Sequence, residues 1–217
     1  MDDLSTARAN MVESQVRPND VTDLRIQHAM RTLPRELFVP KSLRSLAYSE
    51  EALEVAPGRF AMEPRTLAKL IHAADIGDTD LVLLVGTFTG YTAAILSHLA
   101  AAVVALDEDA SLSETANANF AHLGIETGAA VTGTFIDGHA SQAPYDVIIL
   151  NGGAEEIPTA LTDQLSENGH LVAVMVEGNV GKARMFEKKG GSVSSRFLFD
   201  ASAVLLNGFD RPKKFAL

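Results

Sequence analysis

Gly86 and Gly90 bracket a short turn, Gly86-Thr87-Phe88-Thr89-Gly90, which follows the apolar run Leu81-Val82-Leu83-Leu84-Val85. Asp107 ends the next apolar run, 21 residues after Gly86. Glycines in such a turn allow positive φ and let the backbone lie against a ligand. A helix opening at Tyr91 would offer unpaired N–H groups to a carboxylate. An acid closing the second strand can accept hydrogen bonds from both ribose hydroxyls. Together these residues imply an adenosine-bearing cofactor, provided that the turn and Asp107 face one pocket. Singly, each has a plainer role: a tight turn for the glycines, and a helix cap for Asp107 within Asp107-Glu108-Asp109.

Two such cofactors compete. A nicotinamide dinucleotide calls for G-x-G-x-x-G, with the pyrophosphate on the helix. The spacing here is G-x-x-x-G, with no glycine where a pyrophosphate would approach. S-adenosylmethionine is the better match, and a nicotinamide-dependent oxidoreductase is the weaker reading. Phe88 sits where such turns keep small residues. Its ring either fills the amino-acid end of the cofactor pocket, which blocks the donor, or folds back beside Phe60 and Met62, which permits it.

The elements that must hold these residues are an alternation of strands and helices. Strands are expected at Leu81–Val85, Ala102–Leu106, Ala129–Thr132, Asp146–Leu150 and His170–Val176. Helices fit Tyr91–Ala100, Ser111–Leu123 and Pro158–Leu165. Short apolar runs bounded by glycine, proline or charge suit strands covered on both faces. Repeated units of this kind give a parallel sheet with right-handed crossovers. Lys182–Lys188 and Val193–Leu205, on either side of Gly190-Gly191, read as a closing β-hairpin. The first 75 residues read as helices and loops: Thr6–Val16, Leu24–Thr32 behind a capping Asp23, a short turn at Lys41–Leu46, and Arg65–Ala74 after Pro64.

The expected fold is therefore α/β: a three-layer, doubly wound, mostly parallel sheet, Rossmann-like, with an N-terminal helical extension (1–75) packed on the main unit (76–217). The ligand site should lie at the carboxyl ends of the strands. Asn151-Gly152-Gly153 ends the fourth strand and should flank it, with Asn151 a candidate ligand contact.

Composition narrows the function classes. Eighteen basic residues against 28 acidic ones give a formal charge of −10, which argues against a phosphate-backbone footprint. The chain has no cysteine, so disulfides, thiolate metal sites and a cysteine nucleophile are excluded. Its six histidines are scattered without metal-ligand spacing, and no metal is expected. Met1 is followed by Asp2 and Asp3 rather than by a signal-like run, and no apolar stretch approaches a membrane span. A cytoplasmic location is the expectation, with no membrane and no nucleic-acid partner; the oligomeric state is left open.

Three further stretches are specific. MVESQVRPNDVTDLRIQHAMRTLPRELFVP (Met11–Pro40), LAYSEEAL (Leu46–Leu53) and APYDVIILNGGAEEIPTALTDQLSENGHLVAVM (Ala143–Met175) resemble the protein-L-isoaspartate O-methyltransferases. The resemblance runs from about Met11 to Val176. It implies methyl transfer from S-adenosylmethionine to the isoaspartyl carboxylate of damaged proteins, and so a protein or peptide partner. A carboxylate is already a nucleophile and a sulfonium is already activated, so positioning and exclusion of water supply much of the rate.

The chain departs from the family pattern where the chemistry would occur. The family turn Gly-Thr-Gly-Ser-Gly-Tyr, with Glu two residues before it, is matched with Leu84 for the Glu and Phe88 for the middle glycine. The family loop Gly-Gln-Thr-Ile-Ser-Gln-Pro is matched by Gly58-Arg59-Phe60-Ala61-Met62-Glu63-Pro64, so Met62 replaces the serine implicated in catalysis. The family Gly-Asp-Gly, whose acid lies near the adenine, is matched by Gly133-Thr134-Phe135, with Asp137-Gly138 available to a shifted loop. The resemblance assigns Gly86, Thr87, Phe88, Thr89, Gly90, Asp107, Thr134 and Asn151 to the cofactor. Arg59, Phe60 and Met62 go to the substrate, and the catalytic residue is left unassigned, with Met62 at the serine position. The alternative is a catalytically inactive descendant that acts as a binding protein.

Overall fold

The computed structural model describes residues 3–178 and 180–211. Residues 1–2 and 212–217 of the two expected units lie outside the described residues. Five aliphatic runs form the parallel part of the main sheet: β3 (Leu81–Val85), β4 (Ala102–Asp107), β5 (Gly128–Thr132), β6 (Tyr145–Ala154) and β7 (Leu165–Glu177). They follow β1 (Leu53–Ala56) and β2 (Arg59–Ala61), which make a separate antiparallel hairpin. β8 (Val180–Lys189) and β9 (Ser192–Asp200) complete the main sheet in the order β5-β4-β3-β6-β7-β8-β9. β7–β8 and β8–β9 pair antiparallel. Register sets Leu81 beside Ala102, and Val82 beside both Val103 and Val147. Val82, Leu83, Leu84 and Val85 are fully buried, as a strand covered on both faces requires.

The helices are α1 (Asp3–Met11), α2 (Leu24–Thr32), α3 (Pro64–Ala73), α4 (Tyr91–Leu96), α5 (Ala110–Leu123) and α6 (Thr159–Asp163). Asp23 caps α2 by accepting the Arg25 N–H at 2.8 Å, and Ile26, Ala29 and Met30 turn inward at helical spacing. Asp109 caps α5 in the same way, through the Ser111 N–H at 2.8 Å. The cap in Asp107-Glu108-Asp109 is thus the third residue, and the first is left to the turn. One hydrophobic cluster runs from Met11 to Phe209 and includes both the helical segment and the sheet.

Several boundaries differ from the sequence expectation. The first helix changes to a wider turn at Val12–Val16. α4 stops at Leu96 rather than Ala100, and α6 spans only Thr159–Asp163. β7 begins at Leu165, pairing with Tyr145 ahead of the expected His170. The hairpin β1–β2 stands where the sequence reading expects no strand; its pairing of Leu53 with Ala61 is short and carries a bulge. The largest difference is at the end of the last strand. β9 stops at Asp200, not Leu205, and the chain then turns back across the carboxyl end of β6.

Candidate active site

β3, β4 and β6 end side by side, so their following segments converge where an α/β sheet binds ligands. The Asp107 side chain is fully buried and points at the glycine turn. Its Oδ2 accepts the Phe88 N–H at 2.8 Å and its Oδ1 accepts the Asp109 N–H at 3.0 Å. Burial pushes its pKa above the ordinary carboxylate value, and the two N–H groups and Arg59 pull it back. The turn and the acid therefore do face each other.

Between them stands Phe88. Its φ is +53, a left-handed conformation that costs a bulky residue about 1–3 kcal/mol. The ring is 3% exposed and its edge lies 3.3 Å from where a Cβ on Gly86 would stand. The ring therefore lies over Gly86 and also beside Met62, so it meets features of both directions open to it. Met62 is also buried, and both line one residual cavity of about 10 Å³ with Thr87, Tyr91 and Asn151. That is the size of a single water.

Arg59 leaves the acceptor side and reaches the acid. Its Nε lies 3.9 Å from Asp107 Oδ1 and its Nη2 3.4 Å from Glu108 Oε2. The guanidinium carbon sits 5.2 Å from the centroid of the Phe135 ring, within cation–π range. Glu108 also accepts from the Asn207 side chain at 3.0 Å.

The third filler comes from the segment after β9. Leu206 lies so close to Gly152 that a Cβ there would meet it at 2.5 Å, and it touches the space over Gly86 at 3.4 Å. The segment docks on β6 as a short extra strand. Gly153 N–H donates to Val204 C=O at 2.7 Å, Leu206 N–H to Gly153 C=O at 2.9 Å, and Glu155 N–H to Phe209 C=O at 2.9 Å. Buried Phe209 anchors its far end.

The remaining expected residues act as braces or stand apart. Asn151 donates to Gly86 C=O at 2.7 Å and accepts from Thr92 at 3.1 Å, so its amide is used within the protein. Thr89 donates to Phe38 C=O at 2.5 Å and ties the turn to the N-terminal helices. Gly90, at φ +100, opens α4 against Phe120 and Ala116. Thr87 is buried and its hydroxyl has no partner among the described residues. Thr134 is exposed ahead of the turn Phe135–Asp137, whereas Phe135 is buried under Arg59. Sequence reasoning missed Leu206, Glu108 and Phe135. The only trace of Leu206 is Gly152, a glycine demanded by close approach from outside the strand.

The surroundings of Phe60 and Met62 on the outer side are different. Phe60 and Met62 line a cavity of about 180 Å³ with Glu63, Gly152, Ser202 and Val204. Glu63 and Ser202 also border a groove of about 520 Å³ with Arg65, Lys69 and Phe199. The loop from 58 to 64 is held by buried Arg35, which donates to Ala47 C=O and Met62 C=O, each at 2.8 Å, and lies over the Tyr91 ring at 4.8 Å.

Residues 7–206 match the family described as protein-L-isoaspartate(D-aspartate) O-methyltransferase. The chain belongs to that family. A protein-L-isoaspartate O-methyltransferase of Koribacter versatilis is 35% identical over 93% of this chain and 90% of its own length. One from Methanoculleus marisnigri is 39% identical over 76% of each chain. A solved protein-L-isoaspartate O-methyltransferase superposes with a TM-score of 0.80 at 25% identity, over 93% of this chain and 66% of that one. A Plasmodium falciparum structure described under the same name, in complex with S-adenosyl-L-homocysteine, gives 0.78 at 19% identity, over 92% of this chain and 98% of its own. The isoaspartate methyltransferase family uses S-adenosylmethionine, and its Rossmann-like fold is the one seen here. No cluster among the described residues could hold a metal ion, and no described helix is long and apolar enough to cross a membrane.

In this conformation the residues do not fit the family's donor. Pockets for ligands of that size measure roughly 300–1,000 Å³, against about 10 Å³ at the glycine turn. Asp107 is paired with Arg59, and Gly86 of the turn is covered by Phe88 and Leu206.

Proposed function

We propose that this chain is an S-adenosylmethionine-dependent carboxyl methyltransferase of the isoaspartate family, working on a protein or peptide in the cytoplasm. The observation that carries it is the family match across residues 7–206, which includes the turn, the acid and the acceptor loop. The open cavity beside Met62 and the groove beyond Glu63 support a peptide acceptor. Met62 has no hydroxyl, so nothing at the serine position donates to the acceptor. This is tolerable because the attacking group is already a carboxylate. Arg35 fixes the backbone of Met62 and so the floor of the acceptor cavity. Incubation with isotopically labelled donor and an isoaspartyl peptide, beside an authentic relative, tests the reading. A base-labile labelled ester is expected; its absence at millimolar donor, while the relative is active, refutes the activity.

The filled donor side favours a second reading, a descendant that keeps the acceptor groove as a binding surface and transfers nothing. It requires that isoaspartyl peptide bind without donor and that no ester form even after the donor side is opened by substitution. Ester formation by any opened variant excludes it.

A further inference from the structure

We infer that the donor cleft is plugged by three of the chain's own side chains, Arg59, Phe88 and Leu206, and that this plug sets the affinity for the adenosyl donor. The inference rests on the methyltransferase reading for the identity of the ligand, but its test does not depend on turnover. The three residues come from separate places in the chain: β2, the turn after β3, and the segment that follows β9. Each meets a different feature that an adenosyl ligand needs. Arg59 gives a guanidinium to the buried acid and lies on the Phe135 ring, so both the charge and the flat surface are taken. Phe88 covers the backbone of Gly86, where close approach is the reason for a glycine. Leu206 closes the gap between Gly86, which follows β3, and Gly152, which follows Asn151.

The plug is built into the fold. Leu206 belongs to a segment held by three backbone hydrogen bonds along β6 and by buried Phe209. Asn207 extends the same segment to Glu108, which also holds Arg59, so the carboxylate links the segment that carries Leu206 to the Arg59 side chain. Phe88 keeps its place although its backbone is left-handed. Donor entry therefore requires the ring, the leucine and the guanidinium to leave together, and removal of any one should lower the cost of entry.

Isothermal titration with S-adenosyl-L-homocysteine tests this on the purified chain, on Phe88→Gly, and on Leu206→Ala, with circular dichroism to confirm that each variant folds. Leu206→Ala lies on the docked segment and leaves the turn intact, so it remains informative if Phe88→Gly does not fold. Arg59→Gln is the third arm. Ester formation is assayed separately: an opened variant that binds but forms no ester removes the methyltransferase reading and leaves the plug standing. The expected result is binding at least tenfold tighter in one or more folded variants than in the unchanged chain. Equal affinity in all of them, or no binding in any, overturns the plug.

Discussion

The glycine turn beside Asp107 and the loop around Met62 and Glu63 have unlike surroundings. Thr87, Phe88 and Thr89 of the turn border a residual space of only about 10 Å³. Around Met62 and Glu63 the surface stays hollow, with about 180 Å³ in the cavity and about 520 Å³ in the groove. The difference teaches that one scaffold does not keep every part of its cleft equally open. The sheet positions Asp107 and the turn by register alone, whatever occupies the space between them. Loop side chains decide whether that space is usable.

If the donor side is a packed interior, its residues should behave as core and those of the groove as surface. The largest effect is expected for Asp107→Ala. It strands two N–H groups and removes a partner of Arg59, and loss of one member of a buried pair costs about 3–5 kcal/mol. Chemical denaturation would measure it, and a loss under 1 kcal/mol would break the comparison. Leu206→Ala should follow, at about 2–3 kcal/mol for a buried leucine. Phe88→Gly should cost less than an ordinary buried phenylalanine. The lost ring is worth roughly 3–5 kcal/mol, and release of the left-handed strain returns roughly 1–3. A net loss of about 2 kcal/mol is expected, and one beyond 4 would show that the backbone at 88 is unstrained.

The pH dependence of Asp107 gives a finer contrast. Burial holds its folded pKa above the unfolded value of about 3.9. In that window the folded state binds more protons, so this group lowers stability as pH rises. Relative to Asp107→Asn, the unchanged chain should lose stability between about pH 3.5 and the folded pKa. A gain over that range would mean that Arg59 and the two N–H groups outweigh burial. The smallest effect belongs to the groove. Arg65 pairs with Glu63 at 3.1 Å with half its side chain exposed, and Arg65→Ala should change stability by no more than about 0.5 kcal/mol.

Much of this arrangement was legible from residue types alone. The strands that carry the site were readable because buried parallel strands announce themselves as short aliphatic runs. Asp107 was readable because it ends such a run, and the family blocks at Met11–Pro40 and Ala143–Met175 are specific. The fillers were hidden for a physical reason. Leu206 meets Gly152 across 54 positions, and no local periodicity records so distant a contact. The resemblance assigns Arg59 to the substrate; the carboxylates its guanidinium meets are Asp107 and Glu108. Asn151 was expected to face a ligand, but the carbonyl of Gly86 lay within reach and claimed its amide. The hairpin β1–β2 is too short and too irregular to show an alternating pattern.

The left-handed backbone at Phe88 has one more consequence. The main chain there already follows a path that glycine takes freely, so reverting to glycine asks for no rebuilding of the loop. The cleft thus stands a single substitution away from a more open form. Among substitutions at this position that remove the ring, glycine and asparagine should be the best tolerated in a saturation library, with valine and isoleucine the most depleted.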